Sequence, residues 1–175
     1  FTFDDNNQAG PGDRNSGIVF IKIANSTIED AGLSDCVVNT FNDNEASGMW
    51  IMDGSKLTVD GNTFNDYIEY GVHVLGKYSD QTPDTDPWVT TSHNAFGNIG
   101  SGAASIVYRN STQAGTIHGN IISTGLNGIE INDTNNHIID ANIVSNTSGN
   151  GIYFGGSSNA STVTGNTISG ISSGA

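Results

Sequence analysis

Apolar residues alternate with other residues in short runs that recur along the chain. One kind of run follows a glycine, as in Gly48-Met-Trp-Ile, Gly71-Val-His-Val, Gly128-Ile-Glu-Ile and Gly151-Ile-Tyr-Phe. An alternation of period two is typical of β-strands, whose successive side chains point to opposite faces. No stretch has the spacing of an amphipathic helix, so the pattern predicts short strands and no significant helix.

A second motif, Asn-x-Phe/Ile or Asn-Ile-Ile/Val, recurs in step with the first at intervals of 22 to 32 residues. A period of roughly 20 to 50 residues indicates a solenoid, a propeller or an array, and these units are too short for a propeller blade. We therefore expect an all-β, right-handed parallel β-helix of about six to seven coils. The motif asparagines are Asn39, Asn62, Asn94, Asn120, Asn142 and Asn166.

The two motifs together resemble the parallel β-helix repeat of the pectin-lyase-like superfamily. That superfamily includes polysaccharide lyases, hydrolases, alginate epimerases, tailspikes and surface adhesins. The resemblance extends roughly from Gly17 to Gly170 and implies the fold. None of the signature motifs of β-helix lyases, polygalacturonases or alginate epimerases is present, so the resemblance carries over no catalytic residue, and fold alone does not determine activity.

The alternation predicts which side chains point inward. In one coil these are Val59, Asn62 and Phe64, and the equivalent positions of later coils follow the same order, ending with Val163 and Ile168. The apolar members should build one continuous core, and the asparagines should stack in a ladder at an inner bend. We expect the glycines that precede the other strand to allow a turn with positive φ.

Charge restricts the classes of partner. The chain carries 18 acidic and five basic residues, a formal net charge of −13. Nucleic acids and anionic membranes both require a basic face, so neither is expected as a partner. No apolar run approaches the length of a membrane span. We expect an extracellular or cell-surface protein whose single cysteine, Cys36, is a buried small hydrophobic residue.

The chain is predicted to be a single β-helix domain, residues 1–175, cut or processed from a longer protein. Its first residue is Phe1, and it stops inside a further coil. Solenoids need caps over their terminal coils, and no capping helix is visible at either end. The ends are therefore expected to be open or truncated: either the caps lie in missing sequence, or the ends are covered by other domains or by other copies of the chain.

One coil is longer than its neighbours by about one loop. The excess forms an insertion at residues 76–87, directly after the strand that carries His73. Insertions in solenoids project from one face and often border a binding groove. The carboxylates of Asp80, Asp84 and Asp86 in this loop suit either a Ca²⁺ ion or an ordinary solvated acidic loop.

The outward positions of the glycine strand place aromatic and ionisable residues in line on a parallel sheet. Aromatic faces stack on sugar rings while polar groups bind hydroxyls, so the row predicts a platform for a polysaccharide, with Trp50, Tyr153 and Asn132 as binding residues. Arg109 lies beside Asn132, slightly further along. In successive coils the row consists of Trp50, His73, Ser105 or Val107, Glu130 and Tyr153.

The spacing of this row constrains its chemistry. Coils are about 4.8 Å apart, so Arg109 and Glu130 are expected to be neighbours, and Glu130 lacks the second carboxylate of a glycosidase. A lyase or epimerase acting on a uronate requires a cation, Arg109 or Ca²⁺, and a base, His73, Tyr108 or Tyr153. We take His73, Arg109 and Glu130 as the catalytic candidates. Alternation turns Tyr108 inward.

A different face carries His118 in an outward row with Asp60 and Asp140. At one residue per coil, this grouping suits either a metal ion or an ordinary polar face. His93 and His137 lie in or beside turns, and no role is assigned to them.

Two functions fit the sequence. The first is an extracellular polysaccharide-interacting β-helix, with lyase or epimerase chemistry on a uronate-containing polymer as the reaction if it is an enzyme. The second is a non-catalytic adhesin, fibre or surface-layer solenoid that stacks end to end. The row of aromatic and ionisable residues favours the first, and the lack of a catalytic signature favours the second.

Overall fold

The computed structural model describes residues 2–4, 18–21, 26–29, 39–42, 47–52, 56–76, 88–97, 104–110 and 114–172. Within these ranges all regular elements are β-strands, and none is a helix. In chain order the strands are β1 (Thr2–Asp4), β2 (Ile18–Ile21), β3 (Ser26–Glu29), β4 (Thr40–Asn42), β5 (Ser47–Met52), β6 (Lys56–Asp60), β7 (Thr63–Asn65), β8 (Tyr70–Leu75), β9 (Trp88–Ser92), β10 (Ala95–Gly97), β11 (Ala104–Arg109), β12 (Thr116–His118), β13 (Ile121–Ile122), β14 (Asn127–Asn132), β15 (Ile138–Asp140), β16 (Ile143–Ser145), β17 (Ile152–Gly155), β18 (Thr162–Thr164) and β19 (Thr167–Ser169).

The strands form three parallel sheets, and the chain visits them in the repeating order B, C, A. Sheet A contains seven strands in the order β1-β4-β7-β10-β13-β16-β19. Sheet B has the order β17-β14-β11-β8-β5-β2, and sheet C has the order β18-β15-β12-β9-β6-β3. Every strand therefore pairs with its equivalents in the adjacent coils. The predicted fold class, a right-handed parallel β-helix, is confirmed.

The core is a stack of equivalent side chains, one from each coil. In sheet A the rings of Phe41, Phe64 and Phe96 stack with centroid separations of 4.6 and 4.9 Å. Ile122 and Val144 continue this row, and all five residues are at most 1% exposed. Alternation correctly predicted which side chains of these coils point into the core, because each strand is only two to six residues long and keeps one register.

The asparagine ladder is present and links successive coils. The Asn94 side-chain amide donates to Asn120 Oδ1 at 3.1 Å, and the Asn94 backbone N–H donates to the same atom at 3.0 Å. Asn120 in turn makes both bonds to Asn142, at 2.9 and 3.0 Å. The ladder amides from Asn62 onward also donate to backbone carbonyls, as Asn120 does to Thr91 at 2.8 Å. These buried amides are therefore satisfied mainly by their own repeat.

A left-handed corner precedes each described ladder asparagine from Asn62 onward and turns the chain from sheet C to sheet A. Glycine is the usual residue in this region of φ because a β-carbon is disfavoured there. Three coils have glycine, one has alanine and one has histidine. The corner residues and their φ angles are Gly61 (68°), His93 (51°), Gly119 (64°), Ala141 (55°) and Gly165 (63°).

The glycines that begin the sheet B strands have a different role from the one we expected. Gly71 and Gly128 are not among the residues with positive φ, so the prediction of a left-handed turn there is wrong. They are required for space. A Cβ on Gly71 would lie 2.5 Å from the ring of Phe96, and one on Gly128 would lie 2.4 Å from Val144. The side chains of sheet A fill the volume that these glycines leave.

The last described coil is less covered than the others. Val163 and Ile168, predicted to point into the core, are 44% and 45% exposed. Their register matches the buried Ile139 and Val144 of the previous coil. The difference arises because β18 and β19 are the outermost strands of their sheets among the described residues, so no described coil packs over them.

Candidate functional site

The predicted row on sheet B is in register. Trp50 pairs with His73, His73 with Val107, Val107 with Glu130, and Glu130 with Tyr153. Of the two residues considered for the middle coil, the structure places Val107 in the row. The predicted sequence of side chains therefore follows adjacent coils along one face of sheet B.

This row is not an open platform. Val107 is fully buried, and His73 and Glu130 are each 8% exposed. Trp50 is half-buried, and Tyr153 is 40% exposed. The expectation that all five side chains face solvent is therefore wrong for the three central members. Alternation correctly assigned them to the outer face of the sheet but carries no information about what packs over that face.

Glu130 lies at the centre of a polar cluster. Its Oε1 accepts a hydrogen bond from Arg109 Nη2 at 2.7 Å and another from the amide of Asn132. Its Oε2 accepts from the amide of Asn127 at 3.1 Å. We call Glu130, Arg109, Asn132 and Asn127 the Glu130 cluster. The predicted neighbour relationship of Arg109 and Glu130 is confirmed, and both carboxylate oxygens have donors.

Three aromatic rings, each packed on the next, extend from this cluster. The Arg109 guanidinium carbon lies 5.0 Å from the centroid of the Tyr70 ring. The Tyr70 and His73 ring centroids are 4.6 Å apart, and the Trp50 ring stacks on His73 at 5.5 Å with an interplanar angle of 4°. His73 is thus enclosed between rings rather than presented to solvent. The candidate residues are brought together, but as a packed group.

Burial determines the charge state of this group. The pKa of His73 is lowered from 6.5 to about 3, first by burial and then by the positive charge of Arg109. Burial alone would lower the pKa of Arg109, but its hydrogen bond to Glu130, its interaction with Tyr70 and the negative charge of Glu130 outweigh this effect and raise the pKa overall. His73 is therefore neutral and Arg109 charged near pH 7. A general base works best with a pKa near the working pH, so His73 is a poor one.

Tyr108 is enclosed as the alternation predicted. It is 1% exposed, and its hydroxyl lies 2.9 Å from Thr91 Oγ1 and 3.1 Å from the Val89 carbonyl oxygen, to which it donates. Burial raises the pKa of this hydroxyl. Tyr108 is therefore not available as a base to a substrate on the outer face.

A second group of ionisable side chains lies on the outer face of sheet C. His93 Nδ1 is 2.8 Å from Asp60 Oδ1, and His118 Nδ1 is 2.9 Å from Asp140 Oδ1. The rings of His93 and His118 are 5.3 Å apart and perpendicular. Their side chains are 61% and 41% exposed. We call His93 and His118 the histidine pair; unlike His73, both are open to solvent.

The backbone places the two histidines side by side. Asp60, Ser92, His118 and Asp140 are aligned on adjacent strands of sheet C. His93 follows Ser92 at the left-handed corner, and its backbone N–H donates to the His118 carbonyl at 3.1 Å. The positive φ turns the His93 side chain back toward Asp60. The row of Asp60, His118 and Asp140 was anticipated from the sequence, but the contribution of His93 was not.

A signal for His93 is present in the sequence. The corner residue comes directly before each ladder asparagine, and in three of five coils it is glycine. Histidine at that position is unusual because a side chain at positive φ is disfavoured. Among the residues before Asn62 and the four later ladder asparagines, only His93 and Ala141 are not glycine, and of these two only His93 has an ionisable side chain.

His137 differs from the histidine pair because it is buried and satisfied. The Gly115 N–H donates to His137 Nδ1 at 3.0 Å, so Nε2 carries the proton and donates to Thr134 Oγ1 at 2.8 Å. The pKa of His137 is lowered to about 4 by burial. Its role is to fill the turn after β14.

The predicted Ca²⁺ ligands Asp80, Asp84 and Asp86 lie outside the described residues. Among the residues that are described, no group of three or more His, Cys, Asp or Glu side chains is arranged to hold a metal ion. The histidine pair has two ring nitrogens available as ligands, the two Nε2 atoms, because each Nδ1 contacts a neighbouring aspartate. In the described part of the chain, no helix is long and apolar enough to span a membrane.

A family of known proteins matches the chain. The model of a family described as "Periplasmic copper-binding protein (NosD)" matches residues 4–175, which is almost the whole chain. No curated protein and no solved structure matched the sequence. The metal in the family description is copper, whereas the acidic loop of residues 76–87 was interpreted as either a Ca²⁺ site or an ordinary solvated loop.

Proposed function

The chain belongs to the NosD family, and we propose that it acts outside the cytoplasm as a non-catalytic β-helix that binds copper. The observation that carries the non-catalytic part is the Glu130 cluster. Its only described cation, Arg109, is already paired with Glu130, and His73 beside the cluster is neutral with a pKa of about 3. A lyase or epimerase needs a free cation for the uronate and a base near neutral pKa.

Copper fits the described histidines unequally. Imidazole nitrogen is a good ligand for Cu(II), and a ligand nitrogen must have a free lone pair and access to the ion. Both ring nitrogens of His137 are engaged, and His73 is enclosed by rings. His93 is exposed and His118 is partly exposed, and each uses only Nδ1 in a side-chain contact. The histidine pair is therefore the part of the described chain that fits the metal named for the family.

Copper binding is tested by titrating the 175-residue chain with Cu(II) in a calorimeter, using a weakly competing buffer. We expect saturable binding, with Zn²⁺ weaker and Ca²⁺ without effect, because Cu(II) exceeds Zn²⁺ in affinity for nitrogen sites and Ca²⁺ prefers oxygen. Absence of saturable Cu(II) binding would overturn this function. The same preparation should release neither unsaturated uronate nor reducing ends from polysaccharides.

Polysaccharide binding without catalysis is a second candidate function. The observation that favours it is the exposed ring of Tyr153, which lies on the strand next to Glu130. An exposed aromatic ring beside polar groups is suited to a sugar ring. Gel-shift electrophoresis in neutral and uronic polysaccharides tests it: the wild-type chain should be retarded and the Tyr153→Ala variant should not.

A further inference from the structure

We propose that His93 and His118 together bind a single Cu(II) ion through their Nε2 atoms, and that its remaining coordination positions stay open to exchangeable ligands. This inference rests on the proposed copper-binding function and assigns it to a site. It combines four observations: the proximity of the rings, the engagement of Nδ1, the backbone at His93, and the number of donors.

The first observation is proximity fixed by the backbone. His93 N–H donates to the His118 carbonyl, so the two residues belong to adjacent coils with no residue between them. Their ring centroids are 5.3 Å apart. Two nitrogens that share a metal are each about 2 Å from it, hence within about 4 Å of each other. The two side chains are 61% and 41% exposed, so small rotations about their side-chain bonds can bring the Nε2 atoms toward a shared ion while each Nδ1 stays within reach of its aspartate.

The second observation is the state of the ring nitrogens. An ionised carboxylate is only an acceptor, so the contacts with Asp60 and Asp140 place the proton of each neutral imidazole on Nδ1. Nε2 then carries the lone pair. Histidine ligands in metal sites commonly donate their other N–H to a carboxylate, which fixes the tautomer and raises the basicity of the ligand. Asp60 is itself fixed by a 2.6 Å bond from Ser92 Oγ.

The third observation is the backbone at His93. A non-glycine residue at φ 51° costs on the order of 1 kcal/mol, and such strain often accompanies a functional role. The neighbouring coil accommodates it. A Cβ on Gly119 would lie 3.0 Å from His93 Cδ2 and 3.3 Å from Nε2. The absence of a side chain at Gly119 therefore leaves the volume that the His93 ring occupies.

The fourth observation is the number of donors. The described residues provide no third histidine, cysteine or free carboxylate to complete a metal-binding group with the pair. A two-nitrogen site leaves at least two positions of a tetragonal Cu(II) ion for water or another small ligand. Such a site is on the surface and incomplete, which suits binding and release of the ion more than permanent storage.

The test combines calorimetry with electron paramagnetic resonance of Cu(II) bound to the full chain. We expect one ion per chain, hyperfine splitting from two imidazole nitrogens, and a change of the spectrum when azide is added. His93→Gly should reduce affinity at least tenfold while preserving the fold, because glycine occupies the same corner in three other coils. His118→Gln should have the same effect. Asp66→Asn, which removes an exposed carboxylate elsewhere at a positive φ, is the matched control and should bind like the wild type.

The two aspartates act as positioning residues. Asp60→Asn and Asp140→Asn should each lower Cu(II) affinity by about 10- to 100-fold, as is typical of partners that orient a ligand. Circular dichroism should remain that of the wild type. If His93→Gly, His118→Gln, Asp60→Asn and Asp140→Asn all bound Cu(II) with wild-type affinity, neither the histidines nor the aspartates would belong to the site.

The outcomes separate the site from the function. Copper bound with wild-type affinity by folded His93→Gly and His118→Gln would overturn the site and leave the copper-binding function standing. No copper binding by the wild-type chain would overturn the function itself. A spectrum with three or more protein nitrogens, or one unaffected by azide, would contradict the open coordination.

Discussion

The His93 ring lies against Gly119 of the next coil, at a point where a Cβ on Gly119 would be 3.0 Å from His93 Cδ2. Each of these residues occupies the left-handed corner before a ladder asparagine. One coil therefore accepts a side chain at a strained position because its neighbour has none. This complementarity leads to the first prediction.

Gly119→Ala should destabilise the protein and weaken copper binding together. The substitution adds a side chain at φ 64° and moves the His93 ring, so we expect a loss of about 2 kcal/mol in the free energy of unfolding and at least tenfold in Cu(II) affinity. Gly165→Ala is the matched control. Gly165 has a similar φ of 63°, but a Cβ there would lie 3.7 Å from the nearest atom. This substitution should therefore lower the free energy of unfolding by about 1 kcal/mol and leave the Cu(II) affinity unchanged. Equal affinities in both variants would contradict the account.

Glu130→Gln should destabilise the fold rather than remove an activity. The substitution removes the negative charge that pairs with Arg109. The side chain of Arg109 is 32% exposed and that of Glu130 is 10% exposed, so the pair is partly buried. Breaking a fully buried ion pair costs about 3 to 5 kcal/mol, and breaking an exposed one costs less than about 1 kcal/mol. For this partly buried pair we expect the free energy of unfolding, measured by urea denaturation, to fall by about 2 kcal/mol. Glu69→Gln, an exposed change, should have no effect. A stable Glu130→Gln variant would show that the cluster contributes little.

Substitutions in the asparagine ladder should destabilise the fold most in the middle of the ladder. Asn120→Ala removes the acceptor of the Asn94 N–H and the donor to Thr91, both in a fully buried place. We expect the free energy of unfolding to fall by about 3 kcal/mol or more, because the substitution leaves buried hydrogen-bonding groups without partners and also creates a cavity. Asn166→Ala, in the last described coil, should cost about half as much, since water can reach its neighbours. Chemical denaturation of both variants provides the comparison, and equal losses would contradict this gradient.

Stability should fall as the pH is lowered below about 6.5. The folded pKa values of His73 and His137 are about 3 and about 4, because burial disfavours the charged imidazole. Between 6.5 and these values the unfolded chain binds a proton at each histidine and the folded chain does not. The free energy of unfolding should therefore drop by about 1.4 kcal/mol per pH unit for each histidine.

Urea midpoints measured at about pH 7 and about pH 5 provide this slope. His73→Phe keeps an aromatic ring against Trp50 and removes one titrating group, so its slope should be about half that of the wild type. A slope unchanged in this variant would show that His73 is not the source of the effect.

The sequence predicted the solenoid because its information is local and repeated. Asn62, Phe64 and their equivalents recur in one register, and parallel stacking of identical positions follows from period and alternation alone. The pairing of Arg109 with Glu130 followed from the same register. Val163 and Ile168 were predicted inward by the same rule, yet their exposure depends on whether another coil covers them.

The candidate site was less predictable for physical reasons. Alternation assigns Glu130 and Val107 to the outer face but cannot tell that this face is covered, since burial depends on residues distant in the sequence. His93 was overlooked because it is not on a strand. Its orientation depends on a positive φ and on space at Gly119, and the first of these appears only when the corner positions are compared.

The most direct measurement is anomalous X-ray scattering at the copper absorption edge from crystals of the chain grown with Cu(II). We expect one strong peak on the outer face of sheet C, about 2 Å from the Nε2 atoms of both His93 and His118. Asp60 and Asp140 should remain bound to the Nδ1 atoms. A strong peak at any other position, or a peak bound by only one of the two histidines, would contradict it.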